Sequence, residues 1–447
     1  MASQSGLRHR GWLLLLGTLS STAHAQVEQW VARYTGPVGS AQALAIAVDD
    51  KVNSYVTGWS RGVGTGYDYA TVKYDPEGNE VWVARYDGPA HWDDTASAVA
   101  VDSEGNVYVT GSSYGLGTGV DYATVKYDRD GNELWVARYD GPASRDDGAG
   151  AIALDAEGNV YVTGGSYGGY TQDYATIKYD SGGTLLWVQR YSGGLPPGGG
   201  AISLRLDNEA NVYVTGVVWM ESAGYDDIAT LKYNSEGRLL WVAQYNGPGN
   251  GNDIPHDLQI DSEGYVYVTG ETWVGAFVTN YVTLKYDSQG NEVWATLYDG
   301  PAHITDVATA LAVDVAGNVY VTGFSYGLGT GADYATIKYD RDGNELWVNR
   351  YDGPDHRDDG AIALALDSES NVYVAGNSDA VATHYDYATI KYDRDGNEAW
   401  VTRYDGPPSQ NDFARAMAMD PKGNVYVTGH SPNMSSMDYT TVKYSPK

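Results

Sequence analysis

Tryptophan recurs along this chain like marks on a ruler. It stands at Trp30, Trp82, Trp135, Trp187, Trp241, Trp294, Trp347 and Trp400, with spacings of 52 to 54 residues. Two other markers keep the same period. Y-V-T-G or a near variant begins at Tyr55, Tyr108, Tyr161, Tyr213, Tyr267, Tyr320, Tyr373 and Tyr426. A run close to D-Y-A-T-V-K-Y ends at Tyr74, Tyr127, Tyr179, Tyr233, Tyr286, Tyr339, Tyr392 and Tyr444. Eight copies of one unit of about 53 residues exclude most folds outright.

Each unit holds four short runs rich in Val, Tyr, Thr and Ile, bounded by Gly, Asp and Asn. In the second unit they are Ala96–Asp102, Asn106–Gly111, Asp121–Asp128 and Glu133–Tyr139. No stretch keeps a helical period. The expectation is an all-β, eight-bladed β-propeller of four-stranded antiparallel blades, strands a to d, with strand a innermost. The repeat starts on a d-type run, Gln29–Tyr34, and ends on a c-type run, Asp438–Tyr444. The N-terminal strand is therefore expected to complete the last blade and close the ring, which leaves no open sheet edge.

The D-x-x-G-N-V-Y-V-T-G core, followed about a dozen residues later by D-Y-A-T-V-K-Y, resembles the SBBP-repeat family of β-propellers. The resemblance runs through all eight units, from about Trp30 to Lys447. It implies a propeller in an exported bacterial or archaeal protein, and implies little about a ligand.

The first 25 residues stand outside the repeat. Arg8, His9 and Arg10 precede an apolar run, Trp12–Leu19, and Ala23–Ala25 offers an A-x-A cleavage site. This is the pattern of a secretory signal peptide cleaved after Ala25, too short for a membrane span. Residues 26–447 then form one propeller domain, expected to be a monomer that is secreted, periplasmic or at the cell surface. Removing the leader leaves 26 basic against 58 acidic side chains, a net charge of −32. Such a field repels nucleic acid and anionic lipid, and favours cations, basic partners or neutral ligands. With no cysteine, the exported chain is held by its core alone.

Positions shared by all eight units read as blade mechanics. Lys126 and its equivalents are expected to lie over the following tryptophan, here Trp135. Y-D-R-D-G-N-E-L-W at Tyr127–Trp135 has the oxygen-rich look of a calcium loop. Its acids vary between copies and its glycine, Gly131, does not, which is the signature of a tight c–d turn. Three copies keep enough carboxylate for weak calcium binding: Asp128 with Asp130, Asp340 with Asp342, and Asp393 with Asp395.

Function is expected on the other face, where the b–c and d–a loops lie. Six carboxylates precede the inner strands: Asp94, Asp147, Asp253, Asp306, Asp359 and Asp412. They are either loop caps or a cation-attracting ring at the channel mouth. Aromatic residues follow Y-V-T-G in five consecutive units, Tyr114, Tyr167, Trp219, Trp273 and Tyr326, and break the symmetry as a ligand site would. His91, His303 and His356 share one loop position, three residues before an acid of the ring. His-x-x-Asp is metal-ligand chemistry, although surface loops carry such histidines without metal. No nucleotide loop or zinc motif is present.

The reading is an exported, non-catalytic binding propeller whose top face takes a polysaccharide or a surface protein. No cofactor is firmly implied. The alternative is a propeller enzyme, a carbohydrate-active hydrolase or lyase drawing on the acid ring, or a quinoprotein-like dehydrogenase.

Overall fold

The computed structural model describes residues 28–193, 199–220 and 224–446. The leader proposed at residues 1–25 lies outside them. Thirty-two strands form eight four-stranded antiparallel sheets. The first strand, β1 (Glu28–Tyr34), stands alone. Blade 1 follows as β2 (Ala41–Val48), β3 (Ser54–Arg61), β4 (Tyr67–Tyr74) and β5 (Glu80–Tyr86), strands a to d in order. Blades 2 to 7 repeat this order. Blade 8 takes strands a, b and c from the C-terminal repeat and β1 as strand d. β1 runs antiparallel to Met437–Tyr444, pairing Trp30 with Lys443 and Tyr34 with Tyr439. The expected closure is thus observed. Each a strand touches the a strands of both neighbouring blades, so the eight inner strands make a closed ring. Among the described residues no helix is long and apolar enough to cross a membrane.

The core lies between blades. Each of eight apolar clusters joins one blade to the next, as when Tyr55 and Tyr69 of blade 1 pack with Val107, Val109 and Val125 of blade 2. Alternation on strand c turns Ala123, Val125 and Tyr127 towards one neighbouring blade and Tyr122 towards the other. For many of the 39 tyrosines, against 3 phenylalanines, the hydroxyl has a structural use, although those of Tyr74, Tyr127, Tyr286 and Tyr444 are buried without a partner. Tyr69 donates to the Ala123 carbonyl of the next blade at 3.2 Å, and Tyr122 to Ala175 at 3.3 Å. Tyr439 completes the circle by donating to Ala70 at 2.9 Å. A buried hydroxyl so partnered ties two sheets without leaving a polar atom unsatisfied.

A second tie sits on the face that carries the a–b and c–d turns. Trp135 Nε1 and Lys126 Nζ both donate to the Ser181 carbonyl in the c–d turn of the next blade, each at 3.1 Å. The lysine lies over Tyr108 of strand b, 4.8 Å from the ring centre, and not over Trp135 as expected. Lys126 has Tyr108 on one side and Trp135 on the other in the strand register. Its ammonium swings towards Tyr108 and the Ser181 carbonyl, while Trp135 lies flat against the neighbour's glycine.

Candidate functional site

The turn face uses its acids locally. Asp128 Oδ1 accepts the backbone N–H groups of Asp130 and Asn132, both at 2.9 Å, and Oδ2 accepts the Asn132 side-chain amide. Asp340 and Asp393 repeat the arrangement. These bonds, led by the Asn132 amide, hold Asp128 below the usual carboxylate range. Asp130, Asp342 and Asp395 point outward and are exposed. The three calcium candidates are thus hairpin caps with one exposed acid each, of which Asp130 pairs with Arg129 at 3.7 Å. On the same face the a–b turn acids, such as Asp102, accept from two backbone amides, an asparagine and a tyrosine. Polar clefts of about 570 Å³ separate some of these turns, one between Asp102 and Asp155.

On the opposite face the six expected acids start the inner strands, but they form no exposed ring. Asp94 is fully buried. Its Oδ2 accepts Gly88 N–H at 2.6 Å and its Oδ1 accepts Tyr114 N–H at 3.1 Å. Asp147, Asp253, Asp306, Asp359 and Asp412 accept from the equivalent loop glycine in the same way. Asp94, Asp147 and Asp253 also accept a backbone N–H from the end of strand b and so cap the loop against it, whereas Oδ1 of Asp359 and of Asp412 is buried without a hydrogen-bond partner. Burial pushes Asp94 up, and pushes Asp359 and Asp412 to about 6.

Beside these caps lies a second acid. Asp68, at the start of strand c, receives Arg85 Nη2 of strand d at 2.8 Å. The pair recurs as Asp121 with Arg138, Asp173 with Arg190, Asp333 with Arg350 and Asp386 with Arg403. A third acid, Asp87 or its equivalent, stands in the d–a loop. The loop histidines serve it. His91 Nδ1 meets Asp87 Oδ2 at 2.7 Å, His303 meets Asp299 likewise, and His356 meets Asp352. The hydrogen bond to Asp87 raises the His91 pKa. Each histidine engages the aspartate four residues before it, and not the aspartate three residues after it that the sequence pattern singled out.

The five aromatics of the arc lie on this face at the ends of the b strands, all half-buried. Tyr114 meets Trp92 edge-on at 5.4 Å, Trp273 meets Tyr225 at 5.8 Å and Tyr326 meets Phe324 at 6.5 Å. Arg145 lies over Tyr167 and Tyr170 at 5.9 and 5.7 Å. The rings therefore support loops, and what they support is exposed. The b–c loops of seven blades carry Val63, Leu116, Tyr170, Phe277, Leu328, Val381 and Met434, all 62–97 % exposed. Trp92, Ile304 and Val38 add to them from the d–a loops. Sequence reasoning missed these tips. The signal was the single apolar residue inside glycine-rich loops such as Gly115–Gly119 and Gly327–Gly331.

Known proteins resemble this chain through its repeats. An uncharacterised WD repeat-containing protein, L264, of Acanthamoeba polyphaga mimivirus is 24 % identical over 90 % of this chain and 31 % of its own length. The regulatory protein FlaEY of Caulobacter vibrioides is 32 % identical over 22 % of this chain and 12 % of its own length. The chain thus spans under a third of either relative. Among solved structures, polysaccharide lyase Uly1 superposes with a TM-score of 0.49 at 10 % identity, covering 78 % of this chain and 90 % of that one. The family model of the SBBP β-propeller repeat matches at two places, residues 84–117 and 240–277, and the chain is a β-propeller.

Proposed function

We propose that this propeller is an exported binding protein whose b–c and d–a loop face docks on a surface protein. The observation that carries the reading is the set of exposed apolar side chains at the b–c loop tips of seven blades. One exposed apolar side chain per blade, repeated on one face of seven blades, offers apolar anchors that a partner can cover. The tips are mostly aliphatic, which suits a protein surface better than the hydroxylated face of a sugar. A polysaccharide is the second reading, favoured by Trp92 and Tyr170, whose exposed rings could stack on sugars. Binding rather than catalysis is supported by the acids of the inner-strand ring, each of which is buried and accepts a loop glycine N–H. Export rests on the leader pattern at Met1–Ala25.

The test is rebinding of purified protein to stripped envelopes of the source cells. The wild type should rebind, and a variant carrying Leu116→Ser, Tyr170→Ser, Phe277→Ser and Leu328→Ser should lose at least tenfold in affinity. Protease treatment of the envelopes should abolish binding, whereas periodate sensitivity would move the reading to polysaccharide. Equal rebinding by wild type and variant would sink both.

A further inference from the structure

We propose that the blade junctions on the loop face are divalent-cation sites, and that calcium is their ion. Four junctions bring three carboxylates together: Asp68, Asp87 and Asp94; Asp121, Asp140 and Asp147; Asp333, Asp352 and Asp359; Asp386, Asp405 and Asp412. In each trio one oxygen per residue lies within 4.8 Å of the others. That is the span across a cation with ligands at about 2.4 Å on opposite sides, and purely carboxylate donors suit a hard ion.

Proximity alone would not make a site. The independent observation is an orphan oxygen. Asp333 is 3 % exposed and Asp386 2 %. Oδ2 of each is held by arginine and threonine. Oδ1 of each is buried without a hydrogen-bond partner. Asp68 and Asp121 share this state, and so does Oδ1 of Asp87 and of Asp352. A buried carboxylate oxygen facing other carboxylates is strongly unfavourable without a counter-charge. The histidine or serine on the loop acid completes the picture. His91, Ser144, His356 and Ser409 each engage Oδ2 of the third carboxylate, as outer groups that orient a metal ligand do.

The eight junctions also act as each other's controls. Three carboxylates and one arginine leave two net negative charges in each full trio. At the junction of blades 5 and 6, Asn280 replaces the strand-c acid and Leu297 replaces the arginine. Asp299 and Asp306 remain, again two negative charges. At the junction of blades 4 and 5, Asn246 replaces the loop acid and Gln244 the arginine, leaving Asp227 and Asp253, two charges once more. Oδ1 of Asp227 and of Asn280 is likewise buried and without a partner. The other two junctions lose both the loop acid and the inner-strand acid, to Ser192 and Gly199 and to Thr35 and Ala41. One acid and one arginine remain there, with no net charge. In these two, strand-c Oδ1 has found donors: Thr171 bonds Asp173, and Asn433 and Ser436 bond Asp438. Net charge and orphan oxygen change together, and the value kept in six junctions is that of one divalent ion. The two amide-containing junctions have fewer charged ligands and are the weaker sites.

Native mass spectrometry of the purified chain, stripped with EDTA and returned to calcium, tests this. At least four calcium ions should be retained and the thermal midpoint should rise by several degrees. Asp333→Asn with Asp359→Asn should remove one ion, and Asp173→Asn should remove none. If the double variant does not fold, Asp352→Asn replaces it, with loss of one ion expected. Zero retained ions, or a count that no trio variant lowers, overturns the proposal in favour of a proton shared within each trio. Equal retention of magnesium overturns the choice of calcium.

Discussion

Gly131 shows what a single residue does here. Its φ is +86°, a region that costs any side chain energy. A Cβ on it would also lie 2.8 Å from Cδ2 of Trp82, the tryptophan of the preceding blade. The same ring donates Nε1–H to the Arg129 carbonyl of that turn at 3.0 Å. The backbone demand was legible in the sequence, because the glycine persists in every c–d turn while its neighbours vary. The ring against it was not, because the contact joins residues 47 to 49 positions apart and only the packing of neighbouring blades brings them together. Gly131→Ala is expected to destabilise the fold by about 2–3 kcal/mol, from left-handed strain and a displaced indole. Equilibrium urea unfolding measures it. A change under about 0.5 kcal/mol would mean the turn tolerates both.

At the scale of the strand, β1 is the test of closure. It is seven residues long and its partner strand is over 400 residues away. The order of the markers made its place readable, since a d-type run came first and a c-type run last. Its central residues Val31 and Ala32 pack into two different clusters, one on each side of blade 8. Arg33 reaches Ser431 and the Pro432 carbonyl. Removing the strand bares strand c of blade 8 and part of two inter-blade cores. Deleting residues 26–36 is expected to lower the thermal midpoint by on the order of 10 °C, since several buried side chains and a full ladder are lost. Differential scanning calorimetry reads this directly, and an unchanged midpoint would show that blade 8 stands on three strands. The loop face was less legible than the strands. The acids were visible in the sequence, but their sorting into trios depends on b–c and d–a loops from adjacent blades meeting.

The whole molecule is a ring cut at one place. Seven blades have a covalent c–d turn, and blade 8 has its d strand from the other end of the chain. Elsewhere the indole N–H of strand d donates to the c–d turn of the next blade, as Trp347 does to Arg394. Trp400, which faces blade 8, is buried and its Nε1 has no hydrogen-bond partner among the described residues, although the equivalent carbonyl, that of Pro446, is in place and accepts Lys391 Nζ at 3.1 Å. An unsatisfied buried N–H costs about 1–3 kcal/mol. A circular permutant that begins near Ala41 and runs from Tyr444 through a Y-D-R-D-G-N-E turn into residues 28–36 would give that position the same covalent turn as the other blades. It would also make the last pairing local, which lowers its closure entropy. The expectation is the same fold with a higher thermal midpoint, and with Trp400→Phe costing more in the permutant than in the native chain. Calorimetry on the four proteins forms a double-mutant cycle. If the permutant is less stable than the native chain, the connection between β1 and blade 1 contributes more than the missing turn, and the ring depends on where it is cut.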